Sequence, residues 1–235
     1  MGIPALIIGP SGSGKSTSLR NFNPNEIGIF NVAGKPLPFR KKLPQVNNAT
    51  YDIIYKVLKQ PKLKTYVIDD SQYLMAFESF DHAKETGYGK FTNMALNFRN
   101  LIDFIVRGTP DDVIVYLLHH SEVTEDGKVK AKTLGKMLDN QLTVEGLFSI
   151  VLMATVEGSE HYFITNSDGT NPAKSPMEMF EMKIDNDLKF VDTTIREYYG
   201  LNDNKEKEKK EGRILVIQGI TLTEISRSFR SAAIS

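Results

Sequence analysis

The stretch GPSGSGKSTS, residues 9–18, follows directly on the opening MGIPALII. Gly9, Gly14, Lys15 and Ser16 fill the pattern G-x-x-x-x-G-K-[ST]. Ahead of it, Ile3, Ala5, Leu6, Ile7 and Ile8 make a short apolar run, the pattern of a strand buried on both faces of a parallel sheet. Behind it, Thr17 to Phe22 begin a helix. Strand, glycine-rich loop and helix in this order are the context the pattern requires. Gly9, Gly12 and Gly14 let the backbone wrap closely round an anion. Successive amides then point inward and meet the positive end of the following helix. Lys15 adds a point charge for the β- and γ-phosphates, Ser16 offers its hydroxyl to Mg²⁺, and Thr17 supports the α-phosphate. The run Gly9, Pro10, Ser11, Gly12, Ser13, Gly14, Lys15, Ser16, Thr17 is therefore the expected phosphate loop.

A second stretch, TYVIDDSQYL at 65–74, has the companion pattern. Tyr66, Val67 and Ile68 form a buried strand that ends in Asp69 and Asp70. Ligands of open α/β sheets sit at the C-terminal ends of strands. A carboxylate there holds the hydration shell of Mg²⁺. Asp69 is the expected metal residue, with Ser16, and Asp70 the candidate to orient or deprotonate an attacking water.

The remaining chain alternates strands and helices. EIGIFNV (26–32) reads as a strand, GKPLPFRKKLPQ (34–45) as a basic, proline-broken loop, and YDIIYKVLKQ (51–60) as a short amphipathic helix. Met94, Phe98, Leu101, Ile102 and Ile105 form one helical stripe within 91–107. DVIVYLLHH (112–120) is a buried strand, and EVTEDGKVKAK (122–132) a hairpin centred on Asp126-Gly127. A helix is expected from about 134 to 147, then strands FSIVLMATV and HYFITN joined by EGSE, and a last helix at 192–200. This order predicts a mostly parallel sheet with crossover helices and an antiparallel addition towards the C-terminus. The expected organisation is a nucleotide-binding domain at 1–201, a charged linker at 202–212 and a tail at 213–235, either a strand for subunit pairing or a non-native extension.

With 235 residues, 40% apolar and 25% charged, the chain can bury a sizeable core. No run approaches the about 18 apolar residues of a membrane helix, and no signal peptide is evident, so no membrane contact and a cytoplasmic location are expected. The absence of cysteine excludes disulfides and thiolate metal sites. A net charge of zero confines any nucleic-acid contact to local basic patches.

The early phosphate-loop pattern, the VIDD strand about 50 residues later and the strand ending in His119-His120 together resemble the small phage nucleotide-binding proteins of the RecA-like ATPase superfamily, including the single-strand annealing proteins of phage recombination modules. FITNSDGTNPAKSPMEMFEMKIDND is similar to their C-terminal part. The resemblance implies a RecA-like α/β fold, ATP and Mg²⁺ as ligands, single-stranded DNA as partner, and homo-oligomers with ATP at the subunit interface in the host cytoplasm. It gives His119 or His120 the place of the polar residue that senses the γ-phosphate. It makes Lys130 and Lys132 candidates to stabilise transition-state charge in a neighbouring subunit; they are equally placed to bind DNA phosphates or to be solvated.

Members of that superfamily commonly carry a catalytic glutamate just after the second strand, where this chain reads NVAGKPLPF without an acid. Either Asp70 takes that role or hydrolysis is slow. The DNA candidates are the loop with Lys35, Phe39, Arg40, Lys41 and Lys42, and the segment from Asn166 to Ser175 with Lys174. Two other classes stay open. A small-molecule kinase shares the loop, but the hairpin lacks the arginines of a kinase lid. A nucleotide-gated loader of a replication partner would hydrolyse little. No N-K-x-D motif for guanine is present, which favours ATP.

Overall fold

The computed structural model describes residues 1–84, 89–134 and 143–201. Met1–Ile195 form one compact unit. From Arg196 on, the chain is described to Leu201, whose amide donates to the Arg196 carbonyl at 2.8 Å. The linker and tail expected at 202–235 lie outside the described residues.

The fold is α/β, with a mostly parallel mixed sheet between helices. Among the described residues the sheet has nine strands: β1 (Ile3–Gly9), β2 (Ile27–Asn31), β3 (Gln45–Asn47), β4 (Thr65–Asp69), β5 (Ile114–Val123), β6 (Val129–Ala131), β7 (Ile150–Glu157), β8 (Glu160–Ile164) and β9 (Lys183–Asp185). Their order is β3-β2-β4-β5-β1-β7-β8-β9, with β6 paired to β5. The pairings from β3 across to β7 are parallel; those of β8, β9 and β6 are antiparallel. The apolar runs at β1, β4 and β5 are what strands covered on both faces demand, and their residues are almost wholly buried.

Three helices, α1 (Tyr51–Leu58), α2 (Gln72–Asp81) and α3 (Gly89–Gly108), cover one face. The stripe Met94, Phe98, Leu101, Ile102, Ile105 is buried in one cluster with Leu6, Ile68 and Leu117. On the other face lies α4 (Leu188–Tyr198), whose buried Asp192 accepts from Thr65 Oγ1 at 3.0 Å and from the Tyr116 hydroxyl at 3.2 Å.

Several elements depart from the expected boundaries. The helix after the glycine loop is a six-residue 3₁₀ turn, Ser16–Asn21, followed by buried Phe22 and then Pro24, which cannot continue it. Strands β3 and β9 and helix α2 were not expected, and α4 starts four residues earlier than the pattern suggests. The hairpin forms as expected, Glu122 opposite Lys130, with Gly127 at φ 81°. The helix predicted at 134–147 falls mainly on 135–142, outside the described residues; its end, Val144–Leu147, is a 3₁₀ turn.

Phe98 has no exposed surface and packs between α3 and the sheet. Phe98→Ala leaves a cavity there, so its denaturant midpoint should fall by the equivalent of about 3–5 kcal/mol. A change below about 1 kcal/mol would mean the stripe is not core.

Candidate functional site

The C-terminal ends of β1, β4 and β5 meet in one pocket of about 240 Å³, lined by Ser11, Gly12, Gly14, Lys15, Ser16, Thr17, Lys35, Pro36, Pro38, Asp69, Asp70 and His120. The topology explains the convergence. β5 lies between β1 and β4, pairing Gly9 with His120 on one side and Ile68 with Leu117 on the other.

The loop is built for close backbone turns. Gly12 and Gly14 adopt φ values of 82° and 91°, which disfavour any residue with a Cβ. A Cβ on Gly9 would lie 2.5 Å from Ser13 Oγ and 2.7 Å from the Ala154 carbonyl, so the loop cannot close on β7 without glycine there. Lys15 is only 6% exposed and turns back across the loop, donating to the Gly9 carbonyl at 2.8 Å and the Pro10 carbonyl at 2.9 Å. Burial pushes its ammonium down to about 8, against the opposing pull of Asp70 and Asp69. A buried cation satisfied by carbonyls alone, at a positive-φ glycine loop, is a donor set suited to phosphate. Ser13 Oγ is buried without a hydrogen-bond partner. So are His161 Nδ1 and both amide atoms of Asn186, which crowd the outer side of Gly14.

Ser16 and Asp69 are brought together. The Ser16 hydroxyl donates to Asp69 Oδ1 at 2.9 Å. Burial pushes the Asp69 carboxyl up to about 6; Asp70 adds to that, while the Ser16 hydroxyl and Lys15 oppose it. One hydroxyl and one carboxylate, both oxygen donors, fit Mg²⁺, which keeps several waters and completes its shell with phosphate oxygens. Among the described residues no group of three or more His, Asp or Glu side chains gathers to hold a metal unaided.

Asp70 is placed differently from a free base. Its backbone is left-handed at φ 59°, an arrangement that costs a non-glycine residue about 1 kcal/mol. Its carboxylate accepts from Lys35 Nζ at 2.9 Å and lies 3.2 Å from His120 Nε2. Partial burial works to raise its pKa, but the hydrogen bonds from His120 and Lys35 outweigh it and hold the carboxyl below its ordinary value. So tied, Asp70 is a weak proton acceptor.

The two histidines separate. His119 is fully buried and packs on Phe98; burial holds its ring down to about 4, hence neutral. The neutral ring donates from Nε2 to the Lys132 carbonyl at 2.7 Å, leaving Nδ1 to accept from Ser71 Oγ at 2.8 Å. His119 thus ties the hairpin to the start of α2 and is turned away from the pocket, while its neighbour His120 lines it.

The lysines of the hairpin lie outside the pocket lining. Lys130 pairs with Glu122 at 3.1 Å and Lys128 with Asp126 at 3.0 Å. Lys132 lines a neighbouring cleft with Gln72, Tyr73, Phe80 and His120. In the basic loop, Arg40 and Lys42 are exposed, Lys41 donates to the Phe22 carbonyl at 3.1 Å, and Phe39 is half-buried. Lys174 is engaged through its backbone with Val151. Lys35, expected among the DNA-contacting cations of this loop, lines the pocket and is 60% exposed. Its position just past the end of β2, beside the acidic strand, was the available signal; nothing in the sequence pointed to Asn186 or His161.

No protein-family model matches this chain, and no curated protein matches it.

Folding raises the Asp69 pKa from 3.8 to about 6, so stability is lost as pH rises through that value. Below pH 3.8 both the folded and unfolded forms are protonated and the cost vanishes. Asp69→Asn should therefore stabilise the protein by about 1–3 kcal/mol at pH 8, with the gain fading towards pH 4, as read by denaturation at a series of pH values. A gain independent of pH would assign it to something other than the buried charge.

Proposed function

We propose that this protein binds a nucleoside triphosphate, ATP with Mg²⁺, through the Gly9–Thr17 loop, as a P-loop ATPase of the RecA-like type. The observation that carries the reading is the meeting of Ser16 with Asp69 beside buried Lys15: the hydroxyl, carboxylate and ammonium that the two sequence patterns require separately stand in one pocket. The position of β5 between the loop strand and the acidic strand supports the same reading, because it sets His120 where a residue could donate to the terminal phosphate. When bound, Mg²⁺ supplies charge neutralisation at the phosphate oxygens. The loop amides and Lys15 would hold the phosphates, Thr17 would support the α-phosphate, and Asp69 and Ser16 would hold the metal's shell.

Hydrolysis is proposed to be slow. Asp70, the carboxylate read as the candidate to activate a water, is already paired with Lys35 at 2.9 Å and lies 3.2 Å from His120. This favours, as a second reading, a nucleotide-gated protein that loads a partner and turns over little. Action on single-stranded DNA, in recombination or annealing, rests on the resemblance together with exposed Arg40 and Lys42. A homo-oligomer with ATP between subunits would require Lys130 to exchange Glu122 for a neighbour's phosphate.

The test is ATP binding and hydrolysis with Mg²⁺, with and without single-stranded DNA, at stated salt. Lys15→Ala should abolish binding of ATP in a titration; retained binding would reject the loop as the phosphate site. DNA-stimulated turnover supports the recombination reading. Tight binding with DNA-indifferent, slow turnover supports the loader.

A further inference from the structure

Where the resemblance leads one to expect an acid after the second strand, the chain carries a lysine. Lys35 follows Gly34, whose φ of 68° turns the backbone over the pocket; the Lys35 carbonyl accepts from Asn31 Nδ2 at 2.6 Å, and Asn31 Nδ2 also reaches Asn47 Oδ1 at 2.9 Å. Asn31 is itself 2% exposed, so the start of the loop is pinned to the ends of β2 and β3. From that anchored backbone the Lys35 side chain reaches across to Asp70 at 2.9 Å and lies 5.0 Å from the centre of the Tyr73 ring.

Two features mark this ammonium as more than a surface charge. It lines the same pocket as Gly12, Lys15 and Ser16, and its positive charge is close enough to work against that of Lys15. Yet its side chain remains 60% exposed, so it is free to change partners while its backbone stays fixed. Its present partner, Asp70, has a second partner in His120 Nε2 at 3.2 Å, and therefore does not depend on Lys35 alone.

We propose that Lys35 is the residue that distinguishes a triphosphate from a diphosphate: an ammonium supplied by the chain itself that leaves Asp70 for the terminal phosphate. This rests on the reading of the Gly9–Thr17 loop as the phosphate site. The ligand chemistry is a phosphoryl group carrying about two negative charges beyond the β-phosphate, a far stronger acceptor for an ammonium than a carboxylate already shared with His120. Exchange of Lys35 from Asp70 to phosphate leaves the Asp70 carboxylate with its contact to His120 at 3.2 Å. Lys35 thereby has no need of a partner subunit, unlike Lys130 and Lys132, which lie outside the pocket lining.

The test compares equilibrium affinities of the intact protein for ATP and ADP, each with Mg²⁺, by calorimetric titration of wild type, Lys35→Met and Lys35→Arg. Lys35→Met should weaken ATP binding about tenfold or more and leave ADP within about twofold; Lys35→Arg should restore most of the difference. Equal losses for both nucleotides would make Lys35 a structural ion-pair partner, and no loss for either would return it to the surface cations; both results overturn the proposal. Failure of the underlying reading looks different: wild type would bind neither nucleotide. Because Lys35 is exposed, its replacement should leave the thermal unfolding midpoint nearly unchanged, which separates a binding effect from misfolding.

Discussion

The hydrogen bond from Ser16 to Asp69 joins two segments 53 positions apart, and the rest of the site is arranged around it. It depends on a third strand. With β5 slotted between β1 and β4, the hydroxyl and the carboxylate cannot drift apart without shearing a parallel ladder whose paired residues are almost wholly buried. The cost of the arrangement is electrostatic. Lys15 and Asp69 are both withdrawn from water, and each is moved by burial towards its neutral form. Burial of charge is unfavourable for packing alone, and groups perturbed in this way cluster at functional sites.

The same economy shows behind the loop. The Asn186 side chain and His161 Nδ1 are sealed against Gly14 without partners, and Arg20 donates to the Asn186 carbonyl at 2.5 Å. Each unsatisfied buried group costs about 1–3 kcal/mol. The β8–β9 addition therefore props the glycine loop with polar atoms, on the side of the sheet away from His120 and Asp70, and the loop is bounded by rigid strands on both flanks.

How much of this could be read in advance follows from periodicity and length. β1, β4 and β5 announce themselves because strands buried on both faces need unbroken apolar runs, and the stripe on α3 because twenty residues allow several turns to repeat it. α2 starts two residues after Asp70 with no intervening loop signal, so its opening merges with the acidic strand. β3 and β9 have three residues each, mostly exposed, too few for any alternation to register. The meeting of the Gly9–Thr17 loop with Asp69 was legible because the proposed chemistry demands those types at those spacings. The choice between His119 and His120 was not, since alternation separates their faces without saying which face the loop shares. The pairing of Lys35 with Asp70 depends on how a proline-rich loop is pinned, through Asn31 and Asn47, and no local pattern encodes that.

The brevity of the two outer strands has a consequence for how copies of this chain can meet. A sheet recruits another sheet through a row of unpaired amides and carbonyls, and a long flat edge invites open-ended growth. Here the parallel flank ends in Gln45–Asn47 and the antiparallel flank in Lys183–Asp185, each offering only a bond or two to a passing strand. Among the described residues, then, these two flanks offer little backbone for pairing, and contacts made there are specified by side chains more than by a ladder that would run on without limit.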